Sequence, residues 1–318
     1  MTAYKGEHVP VLINEMLELA APADGKVYVD CTFGAGGYSR ALLASADCKV
    51  IALDRDPDVQ NMAQELIRES SGRLQFIASN FARIEESLAE INVKQVDAII
   101  MDLGVSTMQL KNAERGFSFM HDALLDMRMS KDGQDAADLV NNAEEQELAD
   151  IIYRYGGERK SRQIAHKIVL HRQKVPITRT SALASIVHSV LGKKSGKIDS
   201  ATRTFQALRI YINDELGELR EVLAASERLL RVGGRLIVVS FHSLEDSMVK
   251  EFLQIKSGAT PGESRHVPMR VEKKQQEVNF KLLTRRAIKP TEEEINSNQQ
   301  SRSARLRAAE KIGEPKNA

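Results

Sequence analysis

"YVDCTFGAGGYS", residues 28–39, is the stretch on which the fold turns. A short apolar run ends on an acid, Asp30, and passes into a turn with glycines at 34, 36 and 37. Glycine is needed where the main chain approaches a ligand closely or takes positive φ, and open α/β sheets bind ligands at the carboxyl ends of their strands. A tight turn with no ligand reads the same way, so the flanking sequence has to decide. Outward from it lie KVYVD (Lys26–Asp30), KVIALD (Lys49–Asp54), LQFIA (Leu74–Ala78) and VDAIIMD (Val96–Asp102). Apolar runs of this length, separated by helix-length segments, specify a parallel sheet with crossover helices.

The strand ends carry the chemistry. "ALDRDP" puts Asp54 about 18 residues beyond Gly36, where a carboxylate accepts the hydroxyls of a ribose. The turn departs from G-x-G-x-x-G because Ser39 holds the third place, and an acid precedes it. A carboxylate there opposes a pyrophosphate but suits the cationic end of S-adenosylmethionine, which is therefore favoured over NAD. In "SNFARI", Phe81 either covers an adenine or is an ordinary core aromatic. "MDLGVS" places Asp102 and the Gly104 turn beside the methyl donor. Asp102 there either accepts a proton from an amine acceptor or only holds the cofactor.

Composition agrees with one large domain and a smaller one: 318 residues, 42% hydrophobic and 28% charged. "MTAYKGEHVPVLINEM" has no apolar leader region and no run approaches a membrane span, so the expected location is cytoplasmic. Cys31 and Cys48 fit neither a zinc pattern nor a disulfide framework; both read as core residues, and no metal site is expected. The net charge of +1 hides a contrast, since Arg154 to Arg209 holds 13 Lys+Arg against only Glu158 and Asp199. That density reads as a polyanion footprint rather than a merely solvated face.

From about Ala136, "EEQELADIIYRYGG" and "SRQIAHKIVLHRQ" show helical spacing. Phe205, Leu208, Ile212, Leu216, Leu219 and Leu223 mark one long helix, expected to close on Gly233-Gly234 before the strand RLIVVSF. The economical reading is an α/β domain in two segments, 1–113 and 201–318, interrupted by a basic helical insertion over 114–200. "KLLTRRAIKP" and "ARLRAAEKI" are then the last strands.

"RGFSFM", Arg115–Met120, nearly spells the K/R-G-F/Y-G/A-F-V signature of an RNA recognition motif. Its place after the fourth strand makes it a loop near the substrate cleft instead, in which Phe117 and Phe119 either stack on nucleotides or pack internally.

Taken together, these blocks resemble the bacterial 16S rRNA cytosine-N4 methyltransferase family, RsmH (formerly MraW). The matching segments are "HVPVLINE" at His8, "DCTFGAGGYSRALL" at Asp30, "ALDRDP" at Ala52, "DLGVSTMQLKNAERGFSFMHDALLDMRM" at Asp102, "ATRTFQALRIYINDEL" at Ala201, "GGRLIVVSFHSLED" at Gly233 and "RSARLRAAE" at Arg302. The resemblance implies a class I methyltransferase with a Rossmann-like sheet and an inserted, substrate-recognising helical domain. It implies S-adenosylmethionine-dependent methylation of N4 of a cytidine in the decoding centre of 16S rRNA, position 1402 in rRNA numbering. The implied cofactor contacts are Gly36, Gly37, Tyr38, Asp54, Phe81, Asp102 and Gln109, the last from resemblance alone. Arg115, Arg128, Arg203, Arg209 and His242 are the expected RNA contacts, because cations hold phosphates and a flipped base needs polar partners. Structural ion pairs for the arginines, and a helix N-cap network for His242 with Asp246, are the competing reading. Tyr38, Gly157, Ser200 and Ser247 depart from the family's usual residues, which touches RNA docking rather than the reaction. Naked rRNA or an assembled 30S subunit as substrate, and a homodimer, remain open. A catalytically silent RNA-binding protein and an NAD-dependent oxidoreductase are the rival classes.

Overall fold

The computed structural model describes residues 10–195, 198–259 and 278–313. His8 and Val9 of the first family block lie outside them. In chain order the elements are α1 Ile13–Ala20, β1 Val27–Asp30, α2 Gly37–Ser45, β2 Lys49–Asp54, α3 Gln60–Glu69, β3 Leu74–Ala78, α4 Ile84–Glu90 and β4 Val96–Asp102. Then follow α5 Thr107–Lys111, α6 Ala136–Asn142, α7 Glu145–Gly156, α8 Ser161–Arg172, α9 Thr180–Leu191, the ribbon strands β5 Lys194–Ser195 and β6 Ile198–Asp199, and α10 Thr202–Ile212. The chain ends with α11 Glu215–Leu229, β7 Leu230–Ser240, α12 Ser243–Lys256, β8 Phe280–Leu282, α13 Glu292–Ser297 and β9 Arg305–Lys311.

The chain packs as two units, one of residues 1–104 with 217–318 and one of 105–216. The second is wider at both ends than the 114–200 insertion marked from sequence, because α5 and α10 pack with the inserted helices. In the first unit, seven strands run in the order β3-β2-β1-β4-β7-β9-β8. β1 to β4 and β7 are parallel; β9 is antiparallel to β7, and β8 to β9. The order reverses between β1 and β4, which is where an open sheet of this kind leaves a crevice at its carboxyl edge. Val29, Ile51, Leu53, Ile99 and Met101 form one core with Leu219, Val222 and Leu223 of α11. Cys31 and Cys48 are buried free thiols. The second unit has its own core, from Leu125 and Met127 through Leu148, Ile152, Ile164, Ile168, Leu183, Phe205 and Leu208.

Two local expectations give way to packing. The single long helix is two helices, α10 and α11, broken at Asp214, whose φ of 46° no helix continues. Gly233-Gly234 is no helix cap. β7 begins at Leu230 and runs through both glycines, with the register jumping from Val96↔Leu230 to Ala98↔Arg235. The extra residues form a bulge, with Gly233 at φ 83°. Among the described residues no helix is long and apolar enough to cross a membrane.

Candidate active site

In the first unit, β1 delivers Asp30 fully buried at its carboxyl end. Oδ1 accepts the Thr32 N–H at 3.2 Å and Oδ2 accepts the Ser39 hydroxyl at 2.7 Å. Burial pushes its pKa up to about 6, against the pull of those two donors, with the nearby Asp54 charge adding to the rise. Gly36 caps α2 in the left-handed region, φ 77°, and a Cβ there would lie 2.8 Å from the Phe33 ring. A Cβ on Gly37 would run into Pro10. Both positions therefore demand glycine for packing, quite apart from any ligand. Tyr38 turns its side chain into the core, where the phenol donates to the Val11 carbonyl at 2.5 Å and burial holds its pKa well up. Only its main chain is left for a cofactor.

Asp54 closes β2. Its Oδ2 accepts the Gly34 N–H at 2.8 Å and its Oδ1 the Asp56 N–H at 2.9 Å, while burial raises its pKa. Each oxygen retains lone-pair capacity for a hydroxyl donor. The next residue, Arg55, pairs with Glu218 at 2.8 Å, and Glu218 also accepts from Asn80 Nδ2 at 3.1 Å. One acid on α11 thus braces the loops after β2 and β3. Phe81, in the second of those loops, is half-buried and packs on the sheet core.

Asp102 ends β4, neighbouring β1. Its N–H donates to Thr32 Oγ1 at 2.7 Å, while its Oδ1 is buried with no hydrogen-bond partner. Burial, then the charges of Asp30 and Glu245, pushes its pKa up to about 8. Two buried acids whose charges repel, with no cation paired to either among the described residues, form a site short of positive charge. That fits the cationic methionine end of S-adenosylmethionine, and glycine-lined turns with a ribose acid on the adjacent strand fit its adenosine.

The protonated Asp102 also affects stability. A carboxyl whose folded pKa is raised binds more protons folded than unfolded, so it costs stability as pH climbs from about 4 to about 8. Asp102→Asn should flatten the fall in melting temperature between pH 5 and pH 8; an unchanged melting profile would mean that Asp102 is ionised throughout.

His242 is the N-cap of α12. Its Nδ1 accepts the Glu245 N–H at 3.4 Å, and Glu245 Oε2 accepts the Phe241 and His242 N–H groups at 2.8 and 3.2 Å. His242 Nε2 lies 3.1 Å from Glu245 Oε1 without hydrogen-bond geometry. The capping reading therefore accounts for this histidine. Asp246 is held by Arg305 Nη1 at 2.8 Å and Arg307 Nε at 2.7 Å.

The second unit holds the remaining expected residues. Gln109 is buried in a capping box with Ser106, its Oε1 accepting the Ser106 N–H at 2.9 Å. Arg115 is buried and donates to the carbonyls of Arg128 and Met129 at 2.9 and 2.8 Å. Arg209 makes a two-point pair with Glu215 at 2.7 and 2.8 Å. Arg128 is clasped by Asp126 at 2.9 and 2.8 Å. Arg203 alone of these arginines is largely exposed, at 64%, with Glu158 4.0 Å away. Three of the four thus brace the unit, in the structural sense that sequence left open. Phe117 is in the core and Phe119 packs edge-on against Phe205, centroids 4.8 Å apart, so neither is an open stacking platform. The segment from Gly116 to Phe119 is in no strand, which removes the RNA recognition motif reading.

Sequence reading missed Thr32, which ties the ends of β1 and β4 together, and Glu218, whose bracing contacts span 163 and 138 residues. No local pattern carries contacts of that range.

A mainly parallel sheet with its order reversed at β1/β4, a glycine turn and buried acids at the ends of β1, β2 and β4 are the architecture of an S-adenosylmethionine-dependent methyltransferase of class I. The chain belongs to the MraW methylase family, which it matches over residues 5–312. It is 51% identical over 310 residues to the ribosomal RNA small subunit methyltransferase H of Rhodospirillum rubrum, covering 97% of this chain and 95% of that one. It is similar to the proteins of the same name from Maricaulis maris, at 52% identity over 95% of this chain and 90% of that one, and Rickettsia massiliae, at 50% over 96% and 99%.

Proposed function

We propose that this enzyme methylates small-subunit rRNA in the cytoplasm, and that the acceptor is N4 of a cytidine in the decoding centre of 16S rRNA, within the 30S subunit. The observation that carries the reading is the strand-end constellation of Asp30, Asp54 and Asp102 in a chain about half identical, end to end, to relatives named for small-subunit rRNA methylation. When bound, S-adenosylmethionine supplies the methyl group.

The chain's own residues do the rest. The main chain at Gly36, Gly37 and Tyr38 admits the cofactor closely, Asp54 holds the ribose and Phe81 covers the adenine. Asp102 faces the methionine cation and, once that cation has drawn off its proton, is suited to take the proton that an exocyclic amine sheds. Methyl transfer needs little covalent help, so positioning and exclusion of water dominate. Gln109 supports the loop after β4 through its cap. The basic helical unit recognises RNA, with Arg203 and the exposed Arg162 and Lys167 of α8 as its cationic face, flanked by the exposed His166 and His171, and Arg115, Arg128 and Arg209 keeping that unit in shape. His242 sets the start of α12 beside the donor site.

Nucleoside mass spectrometry of 16S rRNA, after incubating protein and S-adenosylmethionine with 30S subunits lacking the modification, tests this directly. N4-methylcytidine mapped to the decoding site is the expected product. Cofactor binding with no methylated cytidine, on subunits or naked rRNA, would transfer the enzyme to another acceptor.

A further inference from the structure

The segments "KLLTRRAIKP" and "RSARLRAAE" contribute to β8 and β9, and apart from Arg307, which is held against buried Asp246, their arginines and lysines lie at the surface. In the first unit, Asp102 of β4 is in register with Val239 of β7, and Val239 with Leu306 of β9. On the far side of β9, Leu306 and Ile288 exchange N–H···O bonds at 2.9 Å each way. These four residues form a row across the sheet near its carboxyl edge. At about 4.8 Å per strand, the row ends roughly 14 Å from Asp102.

One residue nearer the edge, Arg305 stands opposite Ser240, and Lys289 directly follows Ile288, the bridge partner of Leu306. Arg305 is 44% exposed and shares the single carboxylate of Asp246 with Arg307, which leaves that group net positive. Arg285, Arg286, Lys289 and Arg302 are exposed, and among the described residues none has an ion-pair partner. The acids nearby are Glu292 and Glu293, exposed on α13, and Glu294, which accepts the Leu12 N–H at 2.8 Å. From residue 295 to 309 the chain carries no acid, and the turn at Gln299–Ser303 exposes Gln299, Gln300 and Ser303 beside Arg302. Guanidinium, ammonium, amide and hydroxyl donors are the set that contacts phosphate and sugar.

We propose that this rim, centred on Lys289, Arg302 and Arg305, grips the phosphate backbone of the RNA next to the nucleotide being methylated. The inference rests on an RNA acceptor as read above. It places an RNA-gripping surface on the unit that carries the donor site, on the same edge of the sheet and independent of the helical unit.

The test is the double variant Lys289→Gln/Arg302→Gln in the full chain, since both side chains are exposed and hold nothing in the fold. Its control is Arg68→Gln/Lys94→Gln, which removes the same charge from exposed positions away from the rim. Affinity for 30S subunits lacking the modification is measured across a salt series, with S-adenosylmethionine affinity measured in parallel. The rim variant should bind more weakly, and its slope of log affinity against log salt should be shallower by about 1.4, at about 0.7 per single-strand contact. Cofactor affinity and the control variant should match the wild type. Equal slopes for wild type and rim variant, or an equal drop in the control, would overturn the rim while a methylating wild type kept the RNA acceptor. A wild type that binds no rRNA would overturn both.

Discussion

S-adenosylmethionine affinity should rise steeply with pH, by up to tenfold per unit between about pH 6 and pH 8, and should level off above that. In the free protein the Asp102 carboxyl titrates at about 8, because it is buried beside Asp30 and Glu245. At neutral pH it is therefore largely protonated, and a cationic ligand at Oδ1 binds best to the ionised form. Binding must then release a proton, so each unit of pH below 8 costs up to 1.36 kcal/mol of apparent affinity. Near pH 8 the ligand's own α-amino group, ordinarily titrating at about 7.7–8.0, is itself losing its charge, which ends the gain. Calorimetry in two buffers of different ionisation enthalpy counts the released proton directly. Asp102→Asn should bind with no proton release from this position and a much flatter pH profile. A wild-type affinity independent of pH from 6 to 8 would show that Asp102 already carries its charge in the free protein.

Asp54→Ala should weaken cofactor binding by about 1.5–3 kcal/mol, the scale of hydrogen bonds to a charged group and roughly tenfold to 150-fold in Kd. The structure sharpens this expectation. Asp54 also accepts the Gly34 and Asp56 N–H groups, so alanine loosens the glycine turn as well as removing the ribose acceptor. Asp54→Asn should lose less than alanine, because its amide oxygen still accepts one of the two N–H groups, while its NH2 accepts neither the other nor a hydroxyl proton. Equal affinity of wild type and Asp54→Ala, by titration calorimetry, would remove Asp54 from the cofactor site.

The strand-end acids were legible because each stands at the end of an apolar run whose boundary is visible in the sequence. The arginines were not. "ERGFSFM" offers Arg115 and Phe117 as nucleic-acid contacts, yet the fold uses the guanidinium to close the carbonyls of Arg128 and Met129 and puts the ring in the core. A cation in a loop reads identically whether its partner is a phosphate or a carbonyl some 13 residues away. Likewise "SFHSLED" spells both an RNA-contacting histidine and a capping box, and only the hydrogen bonds with Glu245 distinguish them.

By itself the sequence determined what depends on near neighbours: the parallel strands, the glycine turn with Asp30 before it, Asp54 and Asp102 at strand ends, and a basic helical segment between two halves of a sheet. Alternation and helical spacing act over a few residues, and side-chain charge is a property of composition. Tertiary structure alone decided the break at Asp214, the bulge at Gly233, the brace from Glu218 and the bridge of Ile288 to Leu306 at the end of the Asp102 row. Each depends on which distant segments pair and in what register. That choice is made by burying two apolar faces together, a free energy that belongs to the pair and is written in neither segment alone.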